Sequence, residues 1–277
     1  MRADLHLHTT ASDGKLTPQE LVRKAVELKL NVIAITDHDS VEGVLPALEA
    51  AKNFAQLMVI PGVEINTDVP KGEVHILGYF LDYRNPQLNR TLAELRNSRY
   101  ERGKKMVAKL AELGINVDWR RVEEMAGKGS IGRPHIAQAM LEQGYVSSLR
   151  EAFDKYIGRN GPAYVERKKL TPIEAVKVVL EADGLPVLAH PADIEPLEPF
   201  LLQLKKAGII GIEIYYNGYD SKTIAQLKRF AEKFDLIACG GSDFHGLDEN
   251  IGADIGSVNL PSESVEQLIS LSKQKGR

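Results

Sequence analysis

The chain is almost without cysteine: one, Cys239, in 277 residues. A single thiol excludes an internal disulfide, and its place in the apolar run LIACGG reads as a small buried hydrophobe. A cytoplasmic location is the expectation from this usage. No apolar run is long enough to span a bilayer, and no early apolar segment reads as a signal peptide, so no membrane partner is expected. A glycine-rich loop of the nucleotide-cradling kind is missing, as are internal repeats and low-complexity tracts. Net charge is small, at −3, and by itself points to no partner. Its distribution is uneven. Residues 96–169 hold 16 Lys/Arg against 9 Asp/Glu, a balance of +7, while the remainder stands at −10. Such a basic middle is either a set of solvated helix faces or a positive cap over an anionic substrate.

With 43% hydrophobic residues the chain can bury a sizeable core, as one large domain or one domain carrying a smaller one. Short apolar runs recur: ADLHLH, NVIAITDH, LMVIPGVEI, EVHILGYFL, LPVLAHP, IIGIEIYY, DLIACGGSDFH and, more weakly, IGSVNL. Their Val and Ile content is that of strands buried on both faces. Helix-period segments lie between many of them. TPQELVRKAVELKL starts with a capping box, Thr17 to Glu20, and Pro18 in the first turn. TPIEAVKVVLEADG repeats this from Thr171, with Gly184 as the expected C-cap. SKTIAQLKRFAEKF and the segment from about Pro261 also read as helices. Strand–helix alternation predicts parallel β/α units in a closed or nearly closed barrel, with an open doubly wound sheet as the second choice. From about Leu88 to Lys169 the alternation gives way to helices, which predicts a helical insertion. The expected division is barrel at 1–90, insertion and substrate cap at 91–169, and barrel again at 170–277.

His6 and His8 are two apart, so on a strand they project to one face, about 6.6 Å apart along it. Alone this is weak evidence for a metal. The positions of the others strengthen it. His38, Glu64, His75, His190, Asp243 and His245 each lie at or near an apolar run's end, and Asp13 follows the first run closely. Barrels of parallel β/α units build active sites at strand C-termini. Six of the seven histidines fit this pattern, which predicts a metal centre. Nine ligands suit two or three ions, and mixed imidazole and carboxylate donors without thiolate suit Zn, Mn or Fe.

DLHLHTTASDG, ITDHD, GVEI, AHP and GGSDFH together, in this order from Asp4 to His245, resemble the PHP (polymerase and histidinol phosphatase) family of metal-dependent phosphoesterases. The resemblance implies a distorted (β/α)7-type barrel with a trinuclear site. By motif, one ion would take His6, His8, Glu64 and Asp243. A second would share Glu64 and add His75 and His190. A third would take Asp13, His38 and His245. GRPHIA, residues 132–137, resembles the branch holding nucleoside 3',5'-bisphosphate phosphatases and a 5'-to-3' exoribonuclease, and implies that Arg133 and His135 reach a substrate phosphate. The residues agree: Pro134 starts a helix, helix N-termini favour anions, and a guanidinium is a fork for phosphate oxygens. An exposed helix start is the plainer reading. Lys168 and Lys169 read as solvated, with a share in the positive surface as the alternative. Tyr215 and Tyr216 pack in the core or stack on a base. Asp37 and Asp39 are candidates to orient histidine ligands.

The expected activity is hydrolysis of nucleotide phosphate esters by a metal-bridged hydroxide, on a nucleotide or short RNA, with no side-chain nucleophile and no obligate protein partner. The alternatives are a histidinol-phosphate-type phosphatase, an amidohydrolase-like hydrolase of an uncharged ester, and a non-catalytic module. The last would have lost ligands, and an uncharged ester would not need the basic middle.

Overall fold

The structure, a computed structural model, describes residues 1–69, 72–127, 129–167, 169–246 and 253–274. Seven strands lie in sequential order: β1 (Ala3–Leu7), β2 (Val32–Ile35), β3 (Met58–Val69), β4 (Gly72–Tyr79), β5 (Leu185–Leu188), β6 (Gly211–Tyr216) and β7 (Ile237–Gly241). Each of the seven stronger apolar runs is a strand. IGSVNL is not: its residues form a turn and loop. Pairing is parallel except at β4, which runs antiparallel to both β3 and β5. The short connection between β3 and β4 permits only a hairpin, because a parallel return needs a crossover.

The ends of the sheet meet. Leu7 bridges Phe244, and the His8 amide donates to the Phe244 carbonyl at 3.0 Å. The buried carboxylate of Asp4 accepts amide hydrogens from His6, Ser242 and Gly256 at 3.3, 2.9 and 2.7 Å, which ties β1 to the chain beyond β7. Gly241 allows this closure: a Cβ there would stand 2.4 Å from the His6 backbone nitrogen.

Ten α-helices are described: α1 (Pro18–Glu27), α2 (Val44–Ala51), α3 (Pro86–Glu112), α4 (Trp119–Ala126), α5 (Arg133–Glu142), α6 (Leu149–Ala152), α7 (Pro172–Glu181), α8 (Leu197–Ala207), α9 (Ser221–Phe234) and α10 (Ser262–Gln274). Both capping boxes form, Thr17 with Glu20 and Thr171 with Glu174. The end of α7 differs from expectation. Asp183, at φ 62°, takes the left-handed position. Gly184 comes one residue later, and its amide donates to the Val179 carbonyl at 2.7 Å. The motif is the usual helix stop with aspartate where glycine is commonest.

Both faces of the strands are covered. Ile33 and Ile35 of β2 join Leu21, Val22 and Val176 of the helices. Val32 and Ala34 join Tyr79, Val187, Cys239 and Leu268 of α10. Cys239 is fully buried, as expected, and burial pushes its thiol up. The helices between β4 and β5 gather a third cluster around Met106, Leu110, Val122, Ile136, Met140 and Ile157. The first half of α3 is anchored on the barrel core instead, through Leu88, Leu92 and Leu95. One long helix thus carries residues 99–102 across the barrel mouth. No described helix is long and apolar enough to cross a membrane.

Candidate metal centre

All nine expected ligands converge on one end of the barrel. His75 lies near the start of β4, but β4 is antiparallel, so its start sits where the parallel strands end. Glu64, fully buried, is the hub. Its Oε2 lies 3.3 Å from Nε2 of His6, 3.2 Å from Nε2 of His8 and 2.9 Å from Nδ1 of His38. Its Oε1 lies 2.7 Å from Nδ1 of His75 and 3.3 Å from Nε2 of His190. One carboxylate therefore faces two sets of imidazoles, as a bridging ligand must. Asp243 Oδ1 stands 3.2 and 3.0 Å from Nε2 of His6 and His8. Asp13 lies 3.4 Å from His245 and 4.0 Å from His38.

Three sets of donor atoms are close enough to share an ion: His6, His8, Glu64 and Asp243; His8, Asp13, His38 and His245; and His38, Glu64 and His75. They overlap at His8, His38 and Glu64, more than the motif pattern implies. His190 adjoins the third set, its Nε2 3.1 Å from Nδ1 of His75. The donor set fits divalent cations on a physical test. Nε2 of His6 and His8, Nδ1 of His38, Oε2 of Glu64 and Oδ1 of Asp13 and Asp243 are buried and make no hydrogen bond. So many inward-facing orphans would be costly without a cation.

The electrostatics agree. Burial pushes the Glu64 carboxyl up, but the neighbouring imidazoles of His38, His6 and His75 outweigh it and hold the group well below its ordinary range. The same opposition, with burial against His38 and His245 at Asp13 and against His6 and His245 at Asp243, holds both of those carboxyls low. Burial pushes His38 down to about 4. Local backbone is strained at the ligands: His190 and Asp243 have φ of 25° and 55°, conformations that non-glycine residues adopt at a cost and that cluster at functional sites.

Several partners of these ligands were not foreseen. Glu213 of β6 accepts from Nδ1–H of His6 at 3.1 Å and from the His190 amide at 2.8 Å. Tyr216 donates its hydroxyl to Asp243 Oδ2 at 2.8 Å. Tyr215, in contrast, lies under Lys228, with its ring centroid 5.3 Å from Nζ. Asp37 and Asp39 do not orient histidines. Asp37 accepts from the Thr9 amide and hydroxyl and the Ser12 hydroxyl, at 2.7, 2.8 and 2.7 Å, and shapes the loop after β1. Asp39 pairs with Arg99 and Arg167 at 2.6 and 3.1 Å. Asn66 accepts from Arg99 and places its Nδ2 2.5 Å from Nε2 of His75.

Above the ligands lies a cavity of about 500 Å³, lined by Asp13, His38, His75 and His245 on one side and by Arg99, Arg102, Arg133, Arg167 and Phe153 on the other. Arg133 starts α5, with Pro134 in its first turn. Its guanidinium pairs with Glu73 at 2.9 Å and lies over the Phe153 ring, 5.6 Å from the centroid. His135 accepts the Gly132 amide at Nδ1, 3.0 Å, and so caps the same helix. Lys169 is not solvated. Its side chain is 2% exposed and pairs with Glu73 at 2.7 Å. Lys168 lies outside the described residues.

The barrel, the nine convergent donors and the arginine-lined cavity define a metal-dependent phosphoesterase. Residues 4–159 match the PHP domain family, and the chain belongs to it. It is 34% identical over 247 residues to the 5'-3' exoribonuclease Rnm of Escherichia coli, covering 87% of this chain and 84% of that one. It is 32% identical over 269 residues to the 3',5'-nucleoside bisphosphate phosphatase of Chromobacterium violaceum, covering 93% and 92%. A solved Bifidobacterium adolescentis structure, described as a metal-dependent phosphoesterase, superposes with a TM-score of 0.89 at 29% identity, covering 97% of this chain and 95% of that one.

Proposed function

We propose that the chain hydrolyses phosphate esters of nucleotides, as a nucleoside 3',5'-bisphosphate 3'-phosphatase, a 5'-3' exoribonuclease on short RNA, or both. The observation that carries this reading is the shared cavity, in which metal-ligand side chains form one wall and guanidiniums the other. An uncharged ester would gain nothing from that second wall, whereas a phosphate dianion would. The relatives named above act on such substrates by their names, and their likeness covers most of the chain.

His6, His8, Glu64 and Asp243 would hold one ion, Glu64, His75 and His190 a second, and Asp13, His38 and His245 a third; Mn, Zn and Fe all suit these donors. Bound there, divalent ions neutralise phosphoryl oxygens and lower the pKa of a coordinated water. The protein's own residues do the rest. Glu213 keeps the His6 proton on Nδ1 and presents Nε2 to the centre. Tyr216 holds Asp243 through its other oxygen. The segment 91–169 acts as a cap that restricts water and brings positive charge to the phosphate. Arg133, once freed from Glu73, supplies a planar fork for phosphate oxygens, and His135 holds the helix start that aims it.

The test is phosphate release from adenosine 3',5'-bisphosphate, from AMP and from a short 5'-phosphorylated RNA, with Mn²⁺ and with a chelator. Chelator-sensitive turnover favouring the bisphosphate or the RNA is expected. Inertness toward all three, with turnover of histidinol phosphate instead, would overturn the nucleotide reading.

A further inference from the structure

Two cavities adjoin the candidate centre and share Glu73 as a common wall. Arg133 and Lys169 fix Glu73 there, at 2.9 and 2.7 Å. The first is the arginine-lined cavity described above. The second, of about 870 Å³, lies between the β3–β4 hairpin, the start of α7 and the segment that runs from His190 into α8, and the candidate ligand His190 is part of its lining. The two differ in charge. Among the described residues no lysine or arginine lines the second cavity. Glu73, Asp193 and Glu195 do, together with apolar side chains that include Ile173 and Phe200. A phosphate placed there would meet three carboxylates and no cationic side chain. An uncharged group with hydroxyls and a flat ring fits instead: hydroxyls donate to carboxylates, and an aromatic side chain stacks on any nucleobase.

Resting on the nucleotide reading above, we propose that this second cavity seats the nucleoside on the 3' side of the bond that is cut, and so fits the centre to an RNA phosphodiester as well as to a phosphate monoester. A 3'-phosphate monoester has no group to place there. A diester places the next nucleoside there, its ribose hydroxyls within reach of Asp193 and Glu195 and its base on Phe200. The volume, about 870 Å³, is that of a small-molecule site. In the diester reaction a water oxygen bonds to phosphorus, the bond from phosphorus to the 3' oxygen breaks, and that oxygen takes up a proton of the water. The phosphoryl group stays on the next nucleoside as its 5'-phosphate. The shortened strand is then a substrate again, which is what stepwise 5'-to-3' digestion requires. Phe200 and Gln203, which lies exposed along the same cavity, are specificity residues in this scheme, remote from the reacting atoms.

The experiment compares native metal-loaded enzyme with Phe200→Ala and Gln203→Trp on 5'-phosphorylated diadenylate and on adenosine 3',5'-bisphosphate. Stacking on an aromatic ring is worth about 5- to 150-fold per base. The ratio of kcat/KM, dinucleotide over bisphosphate, should therefore fall by about 10-fold or more in F200A. It should fall as well in Q203W, where a bulky ring at an exposed position fills the cavity without disturbing the core. A second measurement does not depend on turnover. A 5'-phosphorylated dinucleotide with 4-thiouridine as its second base, and with methylene in place of the 3' bridging oxygen, is irradiated on the native metal-loaded enzyme. It should crosslink to the peptide that carries residues 194–203. An unchanged substrate ratio in both variants, or a crosslink confined to residues 91–169, would overturn the proposal and leave the nucleotide reading standing. A crosslink at 194–203 on an enzyme that turns over neither substrate would support the cavity's assignment and overturn the nucleotide reading instead.

Discussion

Nδ1 of His6 donates to Oε1 of Glu213 across 3.1 Å, and both side chains are fully buried. The bond fixes the tautomer, so Nε2 is left as a lone pair aimed at Glu64 and Asp243. Carboxylates that hold ligating imidazoles in this way raise their basicity and typically govern metal affinity by about 10- to 100-fold. Glu213→Gln should therefore lower metal affinity by about that factor and leave the fold intact. Chelator competition checks it, and an affinity unchanged within twofold would show that Glu213 serves only the His190 amide.

Gly241 admits the His6 backbone to a distance that no Cβ allows. Gly241→Ala should force β1 away from β7, at a cost of about 1–3 kcal/mol from overpacking. Because His6 and Asp243 flank the contact, metal content should fall together with stability. Denaturant unfolding and metal analysis of the purified variant measure the two effects.

Asp39 neutralises two guanidiniums, Arg99 and Arg167, in a fully buried position with φ of 50°. Asparagine tolerates that backbone but not that charge role. Asp39→Asn should cost about 3–5 kcal/mol, since it breaks the buried ion pairs that Arg99 and Arg167 make with one carboxylate. A loss under about 1 kcal/mol in urea unfolding would mean that the arginines find another anion.

His135 is held below its ordinary value by burial, which outweighs the pull of Asp13 and acts with Arg99 and His245. Its Nδ1 must be unprotonated to accept the Gly132 amide. The folded pKa is depressed, so the unfolded chain binds the proton more readily. This stabilisation is present in full above about pH 6.5 and is lost as the pH falls from there through the folded value. His135→Asn retains an acceptor but cannot titrate. Its stability relative to the parent should therefore rise as the pH drops from about 7 to 5, and a constant difference would refute the capping account.

Chelation should lower both activity and melting temperature, because the orphaned imidazole and carboxylate atoms are stabilised by cations. Each ion held at 100 times its Kd contributes about 2.7 kcal/mol. Calorimetric melting with and without chelator, followed by add-back of Mn²⁺, Zn²⁺ or Fe²⁺, gives the size of the effect and ranks the metals.

Much of the candidate centre was legible because its donor residues sit on or just beyond short apolar strands, where the pattern of burial and the polar residue at the end are both local. Glu213 was hidden inside such a run, GIEIYY, since an acid flanked by isoleucines carries no local sign of its partner across the barrel. Arg99 and Arg102 left a faint signal: two arginines in phase with the leucines of a long helix. That phase marks burial but does not say against what. Lys169 looked solvated by composition and is buried because Glu73 meets it from β4.

The sequence by itself determined the strands, most of the helices, both capping boxes and the identity of the metal-capable residues, because hydrophobic period and hydrogen-bond capping act over a few residues. Tertiary structure alone decided the rest. The antiparallel turn of β4 carried His75 to the ligand end. Closure of β7 on β1 brought Asp243 to His6. The span of α3 set Arg99 and Arg102 over the centre. Each of these is a meeting of residues far apart in the chain, and the energy that drives it, burial of apolar faces and pairing of charges, exists only once the barrel has closed.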